Sequence, residues 1–158
     1  MVVNRNYKPV GGVESVSLYP ADAVQAALFS RDGCEVELAG SPIKVPLLED
    51  ASKYEESSKV HKGVSSVSHL LHIVAERNNA EEWLNPDFIE QATLVGFVAI
   101  ISLCDGRQLL AGYSARFCDE YPLRLENIIS TSGTDLCEVP TVTLRLVSYD
   151  TEFSPQIL

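Results

Sequence analysis

Three histidines and four cysteines are the side chains of this chain whose types most invite metal or nucleophile chemistry. His69 and His72 stand three apart inside Val64 to Ala75, a run rich in Val, Leu and Ile. That composition favours a strand, and residues three apart on a strand point to opposite faces, so the two imidazoles cannot share an ion. His61 lies in a polar run and can join only one of them. Cys34, Cys104, Cys118 and Cys137 have no C-x-x-C spacing, and none is near the histidines in sequence. The expectation is no metal site, with the cysteines as free thiols, buried or half-buried.

Gly112-Tyr113-Ser114-Ala115-Arg116 begins like a nucleophile elbow, but Arg116 stands where the second glycine is needed. The motif also follows a hairpin instead of leading into a helix, so a strand end running into a loop accounts for it better. Asp119 and Glu120 are adjacent and diverge on any regular element, which removes the simplest carboxylate dyad. Gly11-Gly12 lacks the phosphate-cradling pattern and precedes a strand. Catalytic residues and cofactors are therefore expected to be absent, and the chain is read as a non-enzyme. The alternative is a small-molecule or carbohydrate binding module on a β-sandwich, with Trp83, Tyr113 or Tyr121 as a stacking platform.

The elements that would position these side chains are mainly strands. Val13 to Tyr19 alternates, with Val16 and Leu18 facing inward. Asp22 to Phe29 places Val24, Ala27 and Leu28 at helical spacing, which predicts two turns of helix. Cys34-Glu35-Val36-Glu37-Leu38 alternates apolar and acidic residues, and Ile43 to Leu47 alternates again after Gly40-Ser41-Pro42; the pair reads as a hairpin. Pro46 lacks an N–H, which places the second of these strands at an edge or a bulge. Val64 to Ala75 is apolar on both faces, the pattern of a central strand covered on both sides. Asn79 caps a short helical turn toward Trp83. Asn85-Pro86 starts another helix that runs to about Ala92 and docks Trp83, Phe88 and Ile89 on the sheet.

Leu94 to Leu103 and Gln108 to Tyr113 flank Cys104-Asp105-Gly106-Arg107, and Asp-Gly between apolar runs is a strong signal for a hairpin with a tight primed turn. Pro122 to Leu125 and Thr141 to Tyr149 are further strands, the last with Val142, Leu144 and Leu146 on one face. The predicted fold is mainly β (α+β): a β-sandwich or open barrel of seven to eight mostly antiparallel strands with one or two short flanking helices. Residues 1–158 form one domain on this reading.

One stretch resists burial. Glu49 to Gly63 concentrates Glu, Asp, Lys and Ser, and reads as a long exposed loop or flexible hairpin arm. Glu49, Asp50, Lys53, Tyr54, Glu55, Glu56, Lys59, His61 and Lys62 are its candidate contact residues.

With 22 acidic against 12 basic side chains, the formal net charge is −10. Phosphate backbones and anionic lipid both need Lys and Arg to displace counterions, so nucleic acid and membrane surfaces are poor partners. Met1 to Gly12 has no apolar core, so no secretory signal is expected. The longest apolar run, Leu94 to Cys104, is eleven residues, short of a membrane helix. A cytoplasmic location is expected, with no small-molecule ligand.

The carboxy-terminal half resembles a known group. Gly96-Phe97-Val98, Asp105-Gly106-Arg107 and Gly112-Tyr113-Ser114, with Pro122 to Leu125, Ser132-Gly133-Thr134 and Pro140 to Leu144, look like the small structural proteins of prophages, of the tail-tube kind. The resemblance spans roughly residues 60 to 154. It implies a β-sandwich or β-barrel with a flanking helix, stacking as rings through sheet edges and a protruding loop, here Glu49 to Gly63. It also implies a virion component whose partners are further copies of itself and other assembly proteins. Fold analogy alone does not establish function.

Overall fold

The computed structural model describes residues 12–48, 51–78, 80–132 and 140–158. Among these residues ten strands build three antiparallel sheets: β1 (Val13–Pro20), β2 (Val24–Ser30), β3 (Gly33–Leu38), β4 (Ile43–Lys44), β5 (Lys53–His61), β6 (Val64–Glu76), β7 (Phe97–Leu103), β8 (Gln108–Ala111), β9 (Arg124–Thr131) and β10 (Thr141–Asp150). The first sheet has the order β4-β1-β7-β8, the second β5-β6-β10-β9, and β2-β3 is a separate hairpin. One short helix, α1 (Pro86–Glu90), precedes a π-helical turn over Gln91–Val95. The mainly β expectation holds, and the arrangement is sandwich-like.

Alternation explains the layering. Val16 and Leu18 of β1 and Phe97, Ala99 and Ile101 of β7 meet Leu71, Ile73 and Ala75 of β6 and Val142, Leu144 and Leu146 of β10 in one buried core. Val98 of β7 and Leu110 of β8 point the other way, into a second cluster with Cys34, Val24, Phe29, Val36 and Leu38 of the β2-β3 hairpin. The first sheet is thus packed on both faces, which is why β7 reads as an unbroken apolar run. The layers run hairpin, first sheet, second sheet.

Several sequence expectations give way here. Asp22 to Phe29 is not a helix: only Ala21–Ala23 makes a 3₁₀ turn, and Val24–Ser30 is a strand. The register against β3 shifts between Val24 and Ala26, so a bulge produces the three-residue apolar spacing that imitates a helical turn. The strand Gly33–Leu38 therefore pairs with β2, while Ile43–Lys44 pairs with β1 as an edge strand that stops before Pro46. Val64–Glu76 is central in its sheet but packed on one face only, leaving Leu70 and Val74 half-buried on the other.

The reverse turn after β7 also differs. Gly106 takes φ +93° while Asp105 does not take a positive φ, so this is no two-residue primed turn. The Asp105 carboxylate instead accepts from the Arg107 N–H at 3.0 Å and its Nε at 2.8 Å, bonds that hold Asp105 below the usual carboxylate range.

Asn85 caps α1 as expected, its Oδ1 accepting from Phe88 N at 2.8 Å. Phe88 is buried between Trp83, edge-on at 5.5 Å, and Phe97 at 5.2 Å, whereas Ile89 stays 37% exposed. The Asn79 cap and the Ser132-Gly133 turn involve residues outside those described.

Candidate functional site

The polar stretch expected to be a long exposed loop or flexible hairpin arm contains the edge strand β5, one arm of a hairpin with β6. Lys53, Tyr54, Glu55, Glu56, Lys59 and His61 all pair with β6, from Lys53↔His72 to His61↔Val64. Lys62, with φ +50°, and Gly63, with φ +78°, close the hairpin, as a primed two-residue turn requires. Glu49 and Asp50 lie outside the described residues. Low apolar content misled the loop reading: an edge strand is held by its backbone ladder, and charged side chains on it block pairing with stray chains.

What projects is narrower than the predicted arm. The pairing of β6 with β10 ends at Val67↔Asp150, so among the described residues Val64, Ser65 and Ser66 have only β5 beside them. Residues 59–66 therefore form a hairpin tip standing beyond the sheet. Val60 is 73% exposed and Val64 67% exposed, on opposite faces of the tip, which is unusual for residues that gain by burial. Ser58 and Ser65 hydroxyls meet across it at 3.2 Å.

At the base of the tip the fold assembles a cluster from three separated segments of the chain. His69 is buried, and its Nε2 lies 2.9 Å from the Glu152 carbonyl, which can only accept. Nε2 therefore carries the proton and Nδ1 is the acceptor, facing the Tyr54 and Ser154 hydroxyls at 2.9 Å each. Tyr54 and Ser154 also bond one another, and the Ser154 N–H donates to the Glu56 carboxylate at 3.2 and 3.3 Å. Burial first, opposed by the Ser154 bond and reinforced by Glu56, raises the Tyr54 phenol above its ordinary value, so it stays a neutral hydroxyl.

A serine hydroxyl beside an imidazole acceptor has the distance of a nucleophile and its base. Here, however, Tyr54 competes for the same lone pair, and the other ring nitrogen is spent on the backbone next to Ser154. The cluster latches the segment after β10. That segment continues along β8 and β3, where Leu110 N donates to Pro155 O, Cys34 N to Gln156 O and Leu158 N to Cys34 O, at 2.8 to 3.1 Å. All three sheets are stitched by it.

The other sequence candidates disperse. His69 faces inward and the half-buried His72 outward, as a strand demands, and among the described residues no group of three or more His, Cys, Asp or Glu is placed to hold a metal. Cys34 is a buried free thiol raised by burial, Cys104 is half-buried, and Cys118 is exposed, contrary to expectation; Cys137 lies outside the described residues. Ser114 is consumed by an Asp150 carboxylate at 2.8 Å and by the N–H groups of Arg116 and Phe117.

The three stacking residues do not converge. Trp83 is 8% exposed beside a groove of about 400 Å³ walled by Pro20, Ile43 and Phe88. Tyr113 lies parallel to Phe29 at 6.0 Å, and Tyr121 borders a different groove with Tyr149.

No helix among the described residues is long and apolar enough to cross a membrane. Comparisons with family models, with curated proteins and with solved structures found no match.

Proposed function

We propose that this chain is a non-catalytic assembly protein whose copies join one another through the tip of the β5–β6 hairpin and adjoining sheet edges. This is the role that the resemblance to tail-tube proteins implies. The observation that supports it is the tip, which no other strand among the described residues pairs with: two exposed valines, Val60 and Val64, on a hairpin that outruns its sheet. A lone two-stranded hairpin is marginal in water, so a tip of this kind gains most from a neighbouring chain that covers it. Edge strand β5, which among the described residues pairs with β6 alone, offers backbone groups for the same purpose.

Light scattering coupled to size-exclusion chromatography over a wide concentration range tests the reading, with electron microscopy of the heaviest fraction. Concentration-dependent oligomers, rings or tubes are expected, and Val60→Asp with Val64→Asp should dissolve them while leaving the fold intact. A monomer at every concentration overturns the proposal.

A further inference from the structure

The layers of the fold end in two outer surfaces of opposite charge. The first is the solvent face of the second sheet, where Lys53, Lys59, Arg124 and Arg145 project against Glu55 and Glu126, with Glu76 at the opposite end of β6 from the tip. Pairing aligns them: Arg145 stands between His72 and Asn127, and Val147 between Leu70 and Arg124. Lys53 bonds Glu55 at 2.9 Å, while Lys59, Arg124 and Arg145 form no ion pair among the described residues. Arg145 Nε has no hydrogen-bond partner there either. Leu70 and Val147 line a groove of about 320 Å³ among these charges. In a chain of net charge −10 this face is a cationic island.

The second surface is the outer side of the β2–β3 hairpin, at the far end of the layer stack. Val24, Phe29, Val36 and Leu38 turn toward the first sheet. That leaves Leu28 opposite Glu35 and Ala26 opposite Glu37 on the outside. Leu28 is 66% exposed, and both carboxylates are exposed without an ion pair among the described residues.

We propose that the β2–β3 hairpin of one copy docks on the solvent face of the second sheet of the next. Glu35 and Glu37 meet the guanidinium groups of Arg124 and Arg145, and Leu28 covers the Leu70 and Val147 floor. Carboxylate–guanidinium pairs are the strong, orienting kind of charged hydrogen bond. Because the two surfaces lie on opposite outer layers, the contact is head-to-tail. Every copy keeps one surface of each kind, and the series closes into a ring or runs on as a filament. The inference rests on the self-association reading and specifies its second contact, separate from the hairpin tip.

Reciprocal charge reversal tests it by sedimentation velocity at low and high salt. Glu35→Lys with Glu37→Lys, and Arg124→Glu with Arg145→Glu, should each weaken self-association by about tenfold or more, because like charges then face each other. Mixing the two variants, or combining all four changes in one chain, should restore it, and salt should weaken the wild type. Circular dichroism checks folding, and Arg124→Glu alone replaces the pair if Arg145→Glu unfolds. Charge variants that associate like the wild type overturn this contact but leave the tip proposal standing. A wild type that never associates overturns both. Heparin bound at the arginine face, with assembly indifferent to Glu35 and Glu37, also overturns it and makes a polyanion the occupant.

Discussion

Tyr54 Oη lies 2.9 Å from His69 Nδ1, joining the edge strand β5 to the centre of its sheet on the side where the segment after β10 crosses. The pair is more than a cross-strand contact, because the other ring nitrogen of His69 holds the Glu152 carbonyl. One imidazole thereby ties the strand that carries the projecting tip to the segment that stitches the sheets.

The latch predicts a graded response. Tyr54→Phe leaves Ser154 as donor to His69 and should cost about 1 kcal/mol. His69→Leu strands the Glu152 carbonyl and leaves the Tyr54 and Ser154 hydroxyls only each other, and should cost roughly 2 to 3 kcal/mol. Urea unfolding gives the magnitudes. Hydrogen exchange should show faster exchange at Ser154, Ile157 and Leu158 in the leucine variant; unchanged protection there would refute the latch.

Gly112 predicts a backbone effect. Its φ is +86°, and an added Cβ would stand 2.5 Å from the Phe97 carbonyl oxygen that bonds Leu123. Gly40 has a similar φ of +81° with nothing within 4 Å. Gly40→Ala should therefore cost only about 1 kcal/mol, from backbone conformation alone. Gly112→Ala should cost clearly more, because β7 or the Leu123 segment must shift. Equal melting temperatures for the two variants would count against the close approach.

His72 predicts a pH dependence. Burial first, then the Lys53 and Arg145 charges beside it, hold its imidazole below the usual histidine value, while Glu55 opposes them. The folded value lies below the unfolded one, so the unfolded chain takes up the proton first as pH falls. Stability should drop as pH goes down through the ordinary histidine range, near 6.5, and stop dropping once the folded imidazole is itself protonated. His72→Gln should flatten that part of a stability-against-pH curve measured by denaturant titration. A curve with the same slope in both proteins would refute it.

Trp83 predicts an optical signature. It is 8% exposed, packed edge-on against Phe88, and its indole N–H has no partner among the described residues. Emission should be blue-shifted and poorly quenched by acrylamide. Trp83→Phe should be milder than most core truncations, since it removes a buried donor that already lacks a bond. A ligand that changes this emission on entering the Pro20–Ile43 groove would favour the binding-module alternative.

Much of the architecture was legible in the chain because burial writes a period of two. Val16 and Leu18, the alternation of Thr141 to Tyr149 and the Asn85 cap were all readable residue by residue, and each reflects local chemistry or one buried face, whereas the two-sided burial expected of Val64 to Ala75 belongs to β7. Where that period failed, so did the reading. A bulge disguised Val24–Ser30 as a helix, and lack of apolar residues hid Lys53–His61 in a stretch read as a loop or flexible hairpin arm, so the described residues carry ten strands where seven to eight were expected.

The rest belonged to the tertiary structure, because it depends on contacts between distant positions. Ser154 and His69 are 85 residues apart, and no local pattern announces that they touch. The projection of residues 59–66 follows from where β10 stops relative to β6, a register that neither strand specifies alone. Net charge was countable at once, but its separation into an arginine face and a glutamate face required the stacking of three sheets. Summed charge is a property of composition, while a charged surface is a property of which strand faces end up outermost.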